Sequence, residues 1–263
     1  MKGILEFTRA KRNRSPIVLV TAYDALMARL IAASDADAIL VGDSAAMVVH
    51  GFPSTVHATV EMMCTHVAAV RRGAPHFLVI ADMPFLSVRR GLAEAVAAAG
   101  ALMQAGATAV KVEGVAGNGE IIAHLVESGI PVMGHLGLTP QAIHRLGGHR
   151  VQGRSPAEAE RIRSDSRALE TQGAFALVLE CIPAALAAAI TDELAIPTIG
   201  IGAGSATSGQ VLVLPDLLGM DADFRPRFAR RYMDGHAAAL TAVNAFARDV
   251  REARFPADEE VPA

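Results

Sequence analysis

The 263-residue chain contains no tryptophan, two tyrosines and nine phenylalanines, so the core it builds must be aliphatic. Its two cysteines, Cys64 and Cys181, stand far apart and form no C-x-x-C pair. That argues against a disulfide framework or a thiolate zinc site and fits a reducing cytoplasm. A basic excess is missing as well: the formal net charge is -3, which leaves nothing to neutralise a phosphate backbone, so nucleic acid is not an expected partner. No run reaches the roughly 18 continuous apolar residues of a membrane helix, and the amino terminus lacks the apolar centre of a signal peptide. No low-complexity linker interrupts the chain. With 52% hydrophobic residues it is expected to form one large α/β domain over residues 1–263, ending in an acidic, proline-containing tail from about 254 to 263 that should fray.

What is present is a recurring pattern. Apolar runs of strand length occur at Ile17–Val20, Ala38–Val41, Phe77–Ile80, Ala109–Val112, Ile130–Met133, Phe175–Leu179, Ile196–Ile199 and Val211–Leu214. Most are separated by alanine-rich or amphipathic stretches of helical character, such as Leu92–Gln104, Arg161–Thr171 and Pro183–Leu194. Continuous apolar strands are the product of a parallel sheet covered on both faces. Eight of them alternating with helices predict a closed (β/α)8 TIM barrel. An open doubly wound sheet would place a glycine-rich turn after the first strand, where Thr21-Ala-Tyr-Asp24 stands instead. Thr139-Pro140 and Cys181-Ile-Pro183 read as helix starts. Gly147 to Ser155 has no apolar period and reads as an ordered loop near the mouth of the barrel.

Chemistry in such a barrel sits at the carboxyl ends of the strands. The polar residues there are Asp43 and Ser44 after the second run, Asp82 after the third, Lys111 and Glu113 around the end of the fourth, His135 after the fifth and Glu180 after the sixth. Taken singly, each acid reads as a helix cap or a solvated charge, and His135 as an inert hydrogen-bonded side chain. Taken together, four carboxylates at one mouth cannot all stay ionised without a compensating cation. Oxygen donors with little sulfur suit Mg²⁺, with Asp43, Asp82 and Glu113 as ligands from adjacent strands and Glu180, across the barrel, left for acid or base work. An apolar strand leading into Glu180 disfavours its charged form there. Period two sets Lys111 and Glu113 on one face of their strand. The turn Gly200-Ile-Gly-Ala-Gly204 reads either as an anion-binding loop or as a tight connection, and the remaining histidines show no metal-ligand spacing.

Several strings are more specific. Thr21-Ala-Tyr-Asp24, Val41-Gly-Asp-Ser44, Ala69-Val-Arg-Arg-Gly-Ala-Pro75, Asp82-Met-Pro-Phe85, Lys111-Val-Glu-Gly114, Pro131-Val-Met-Gly-His-Leu-Gly-Leu-Thr-Pro-Gln141, Val151-Gln-Gly153, Leu177-Val-Leu-Glu-Cys181 and Ile196-Pro-Thr-Ile-Gly-Ile-Gly-Ala-Gly204 occur in order along the chain. Together, from about residue 15 to 232, they resemble the ketopantoate hydroxymethyltransferase (3-methyl-2-oxobutanoate hydroxymethyltransferase) family. The resemblance implies a barrel of the phosphoenolpyruvate/pyruvate type. It implies transfer of a hydroxymethyl group from 5,10-methylenetetrahydrofolate to 3-methyl-2-oxobutanoate, giving 2-dehydropantoate for pantothenate synthesis through a magnesium-stabilised enolate. Carried over, Asp43, Ser44, Asp82 and Lys111 bind the 2-oxo acid, Asp43, Asp82 and Glu113 hold Mg²⁺, Glu180 accepts the proton, and His135 lies nearby in support. It further implies a cytoplasmic homo-oligomer, a decamer on the family pattern, that engages small molecules and neither nucleic acid nor membrane.

The chain departs from the family pattern at Ala46, where a loop glycine is usual, at Pro53, where an acid is usual, and at Leu86-Ser-Val88 in place of Gly-Ser-Tyr. These positions bear on the folate and acyl pockets rather than on the acids. The alternatives are a Mg²⁺-dependent 2-oxo acid lyase or aldolase on the same barrel, and a non-catalytic binding protein that retains the fold.

Overall fold

In the computed structural model, which describes residues 3–224 and 226–261, the apolar runs become β1 (Ile17–Thr21), β2 (Ala38–Val41), β3 (Leu78–Asp82), β4 (Ala109–Glu113), β5 (Val132–Gly137), β6 (Ala176–Glu180), β7 (Thr198–Ile201) and β8 (Gly209–Leu212). Each pairs in parallel with the next, and β8 pairs with β1, so the sheet closes in sequence order as a barrel. Alternate residues from all eight strands form one buried cluster: Ile17 and Leu19, Ala38 and Leu40, Leu78 and Ile80, Ala109, Met133, Ala176 and Val178, Ile199 and Ile201, Val211. That is the barrel interior. The intervening Val20, Ile39, Val79, Val110 and Leu177 are also buried, which is the physical reason the strands read as continuous apolar runs.

The connecting helices are α1 (Ile4–Arg12), α2 (Ala25–Ala32), α3 (Ala45–Val48), α4 (Val60–Gly73), α5 (Leu92–Ala105), α6 (Gly119–Glu127), α7 (Ile143–Leu146), α8 (Pro156–Thr171) and α9 (Ala184–Glu193). Local chemistry starts several of them. Asp24 accepts from the Met27 N–H at 2.8 Å, Thr59 from that of Met62 at 3.2 Å, and Ser155 with Glu158 forms a reciprocal capping box. Arg71, within one of the family-like strings, donates to the carbonyls of Gly106, Ala74, Pro75 and Phe77 and to Thr108 Oγ1. It ties the end of α4 to the entrances of β3 and β4, so that string is a structural element rather than a site.

Several boundaries differ from the sequence reading, those of β5, β7 and β8 most. β5 begins at Val132, after Pro131, and runs to Gly137, because Gly134, His135 and Leu136 keep register with Leu177, Val178 and Leu179. His135 therefore lies within the strand rather than after it. β8 begins two residues earlier than expected, at Gly209, where a Cβ would stand 2.2 Å from the Ile17 carbonyl oxygen. Only glycine lets β8 approach β1 there. Helix α1 was not foreseen at all. Its Phe7 joins the interior cluster and meets Phe175 edge-on at 5.7 Å, closing the amino-terminal end of the barrel. Lys11 fixes α1 by donating to the carbonyls of Thr191 and Ile196 at 2.7 and 2.8 Å.

Residues 213–263 form a second compact unit, with α10 (Leu214–Leu218) and α11 (Gly235–Arg251). Helix α11 leaves Leu240, Val243, Phe246 and Val250 exposed. In the expected tail, Phe255 packs edge-on against Phe246 and Asp258–Glu260 form a 3-10 turn, while Pro262 and Ala263 lie outside the described residues.

Phe7 is 2% exposed, and truncating a buried phenylalanine typically costs about 3–5 kcal/mol. Phe7→Ala is accordingly expected to lower the unfolding free energy, measured by denaturant titration, by an amount in that range. A loss below about 1 kcal/mol would show that α1 does not close the barrel floor.

Candidate active site

The alternation that fills the barrel with aliphatic side chains turns polar at one end. Two residues beyond Ile80 is Asp82, beyond Ala109 are Lys111 and Glu113, beyond Met133 is His135 and beyond Val178 is Glu180. Strand register then places Asp82 beside Lys111 and Glu113 beside His135. Asp43 follows β2, and its backbone N–H donates to Asp82 Oδ2 at 3.0 Å. The expected residues of β2 to β6 thus meet at one mouth, and Asp43, Asp82, Lys111 and His135 are all at most 5% exposed.

A chain of charges runs across this mouth. Lys111 Nζ lies 3.1 Å from Asp82 Oδ1 and 3.0 Å from His135 Nδ1. His135 Nδ1 is 3.5 Å from Glu113 Oε1, and its Nε2 is 3.1 Å from Glu180 Oε2. An ammonium can only donate, so the lysine contact requires a lone pair on Nδ1 and leaves the proton of neutral His135 on Nε2, on the Glu180 side. Burial opposes a charge on Lys111, but Asp82, Glu113 and Asp43 outweigh it and hold its pKa above the ordinary lysine value. His135 is also raised: burial and Lys111 oppose its protonation, and Glu113 and Glu180 prevail. Asp43 is pushed well above the usual carboxylate range by burial and then by Asp82 and Glu113.

Several buried polar atoms here have no aligned hydrogen-bond partner: Asp82 Oδ1, Glu113 Oε1 and His135 Nε2. Their neighbours lie at ion-pair distance but off the bonding axis. Buried unsatisfied oxygens of this kind suit an ion or water, and the acids gathered beside buried Asp43 favour a positive one. Among the described residues, no three His, Cys, Asp or Glu side chains form a ready-made cation cage. Mg²⁺ does not require one, because it commonly takes one or two protein carboxylates and completes its shell with water and substrate oxygens. The donor set therefore fits a hard divalent cation.

Glu180 is held by backbone. Gly137, at φ +93°, lies against it so closely that a Cβ would stand 2.2 Å from the Glu180 carbonyl oxygen, and the Leu138 N–H donates to that oxygen at 2.8 Å. Cys181 follows in the left-handed region at φ +47°, pinned by its N–H to Ile201 O and by the Gln152 N–H to its own carbonyl, both at 2.9 Å. The loop expected at the mouth is thus fastened directly behind Glu180. The apolar lead-in does not enclose this carboxylate, whose side chain keeps 14% exposure. From β6 it lies opposite β2 in the closed barrel, and His135 connects it to the other acids.

Ser44 opens α3 without capping it, and its Oγ lies 2.9 Å from Tyr23 OH. Tyr23 carried no role in the sequence reading, and neither did Gln141. The Tyr23 carbonyl is held by His66 Nδ1 at 2.6 Å, while His66 Nε2 faces His50 Nε2 at 2.8 Å. Gln141 Nε2 lies 2.8 Å from Asp43 Oδ2. Both residues stand inside the quoted strings, but a search for charges at strand ends passes over a phenol and an amide. Of the departures, Ala46 and Val88 are buried and Pro53 lines a small groove with Met47, Pro140, Ile143 and His149. Leu86 occupies φ +62°, the left-handed conformation for which the family's glycine is suited.

A closed parallel barrel with acids at its carboxyl-terminal mouth defines the fold class, a (β/α)8 barrel. Solved structures of that class superpose on it: a phosphonopyruvate hydrolase complex with oxalate and Mg²⁺ at TM-score 0.65 and 14% identity, covering 100% of this chain and 92% of that one, and 2,3-dimethylmalate lyase, of the PEP mutase/isocitrate lyase superfamily, at 0.63 and 17%, covering 100% and 92%. The sequence pattern of ketopantoate hydroxymethyltransferases matches residues 2–258. Curated 3-methyl-2-oxobutanoate hydroxymethyltransferases are 50% identical over 252 residues in Coxiella burnetii, covering 95% of each chain, and 49% identical over 260 residues in Bdellovibrio bacteriovorus, covering 99% of each. The chain belongs to the ketopantoate hydroxymethyltransferase family, a family of transferases.

The repulsion on Asp43 makes a stability prediction. A carboxylate whose folded-state pKa is raised contributes most when protonated, and that contribution is lost as pH rises from the ordinary carboxylate range through the raised value. In chelator, Asp43→Asn is therefore expected to be more stable than the unsubstituted protein at neutral pH, with an advantage that shrinks as pH falls. Denaturation midpoints across that range test this, and an advantage that is absent or independent of pH would contradict it.

Proposed function

We propose that this chain catalyses the reaction its relatives are named for, moving a one-carbon unit from 5,10-methylenetetrahydrofolate to 3-methyl-2-oxobutanoate and releasing 2-dehydropantoate for pantothenate synthesis. The observation that carries the reading is the buried line from Asp82 through Lys111 and His135 to Glu180, with Asp43 and Glu113 beside it. Forming a carbon–carbon bond at C3 of a 2-oxo acid requires loss of a proton next to a carbonyl, and hence a base and a stabiliser of negative charge on oxygen.

Asp43, Asp82 and Glu113 would hold Mg²⁺, which when bound supplies Lewis-acid polarisation of the 2-oxo acid. Glu180, the least buried of the acids, takes the C3 proton, and His135 behind it fixes its carboxylate. Lys111 stays an ammonium and faces the oxygen on which charge develops. Ser44, anchored by Tyr23, and Asp43 line the 2-oxo acid site. The carbon carried by folate is bonded to two of its nitrogens; water takes the place of both, releasing tetrahydrofolate and leaving the carbon as an aldehyde, which the C3 carbanion equivalent attacks, so that the water's oxygen becomes the product's hydroxyl.

The lyase alternative would draw on a reactive thiol. Cys181 is unsuited, because burial and the adjacent Glu180 push its thiol up to about 11 and keep it protonated. Both cysteines are free, as suits the cytoplasm, and the exposed apolar stripe of α11 supports the homo-oligomer that the family pattern implies.

With Mg²⁺ and both substrates, the purified protein is expected to form 2-dehydropantoate, and chelation to stop it. Replacing a general base commonly costs about 10²–10⁴-fold in turnover, the range expected for Glu180→Gln. Unchanged turnover in that variant would remove Glu180 from the mechanism, and folate-independent cleavage of a hydroxy-oxo acid would favour the lyase.

A further inference from the structure

Gln141 touches three of the strand ends that carry the acids. From the 3-10 turn Pro140–Ala142 after β5, its Nε2 donates to Asp43 Oδ2 at 2.8 Å and to the carbonyl of Met83, the residue after Asp82, at 2.9 Å. Its backbone N–H donates to Glu113 Oε2 at 3.1 Å. The Met83 carbonyl can only accept, which orients the amide with its nitrogen toward both neighbours, and both Nε2 hydrogens are in use. Each acid it contacts has one oxygen committed to it. The other oxygen of Glu113, Oε1, is buried and has no aligned partner.

We propose that Gln141 is a positioning residue that sets Asp43 and Glu113 for a divalent cation, an inference that rests on the reading of the site given above. A neutral donor suits this task on charge grounds. A lysine or arginine in its place would compete with the cation for the same oxygens, and an acid would add to the repulsion already acting on Asp43. The side-chain amide holds one oxygen of Asp43 and the backbone N–H one oxygen of Glu113, without changing the net charge of the mouth. Because it comes from the segment after β5, it also makes the order of that segment depend on the acids of β2 and β4.

The test uses Mn²⁺ as a spectroscopic probe, with binding to the full chain followed by electron paramagnetic resonance. Loss of a residue that orients metal ligands typically weakens affinity about 10–100-fold. Gln141→Met, of similar length but without a donor, is expected to show that loss, with turnover largely recovered at saturating Mg²⁺. Gln141→Ala, which also keeps the backbone donation to Glu113, should behave alike if the longer variant folds poorly. Mn²⁺ affinity equal to the unsubstituted protein in both variants would overturn the inference while leaving the site reading intact. If the unsubstituted protein binds no Mn²⁺, or Asp82→Asn binds it unchanged, the site reading fails and the inference with it.

Discussion

Among the described residues the ammonium of Lys111 is the one fixed positive charge inside a ring of buried acids, and the site depends on it. Removing one partner of a buried ion pair commonly costs about 3–5 kcal/mol, because the other charge is left unpaired in a medium that solvates it poorly. Here Asp82 is the direct partner, with Glu113 and Asp43 close enough to contribute. One lysine cannot balance all of them. Burial, together with Asp82 and Glu113, raises the pKa of Asp43, and carboxylate oxygens of Asp82 and Glu113 are left without aligned donors. A site in this condition is poised to take up a cation, and that is the link from packing to chemistry.

The barrel makes such a concentration of charge tolerable. Its lower interior is an aliphatic plug closed by Phe7, and the same period-two alternation delivers the polar residues to the other end. Every acid except Asp43 sits on a strand whose two neighbours hold it in register, so repulsion cannot be relieved by moving a loop. At β6 the constraint is tightest, where Gly137 and the left-handed Cys181 bracket Glu180.

Much of this was legible in the chain. The eight runs, their order and the acids at their ends follow from apolar patterning and from the rule that barrel chemistry lies at strand termini. What escaped had physical reasons. Helix α1 is short and carries three basic residues in its last turn, so nothing marked it as the floor of a barrel. His135 lies in a Gly-His-Leu-Gly segment with little strand propensity, held in the sheet by its pairing with β6. The role of Gln141 depends on a contact between residues 98 apart in sequence, and no local pattern predicts it.

The central claim is that Glu180 removes the C3 proton of the 2-oxo acid. The most direct measurement is exchange of that proton with solvent deuterium, followed by nuclear magnetic resonance with 3-methyl-2-oxobutanoate and Mg²⁺ but no folate. The unsubstituted protein should exchange it catalytically, and Glu180→Gln should leave the signal at the rate of buffer alone. Exchange in Glu180→Gln at the rate of the unsubstituted protein would contradict the account.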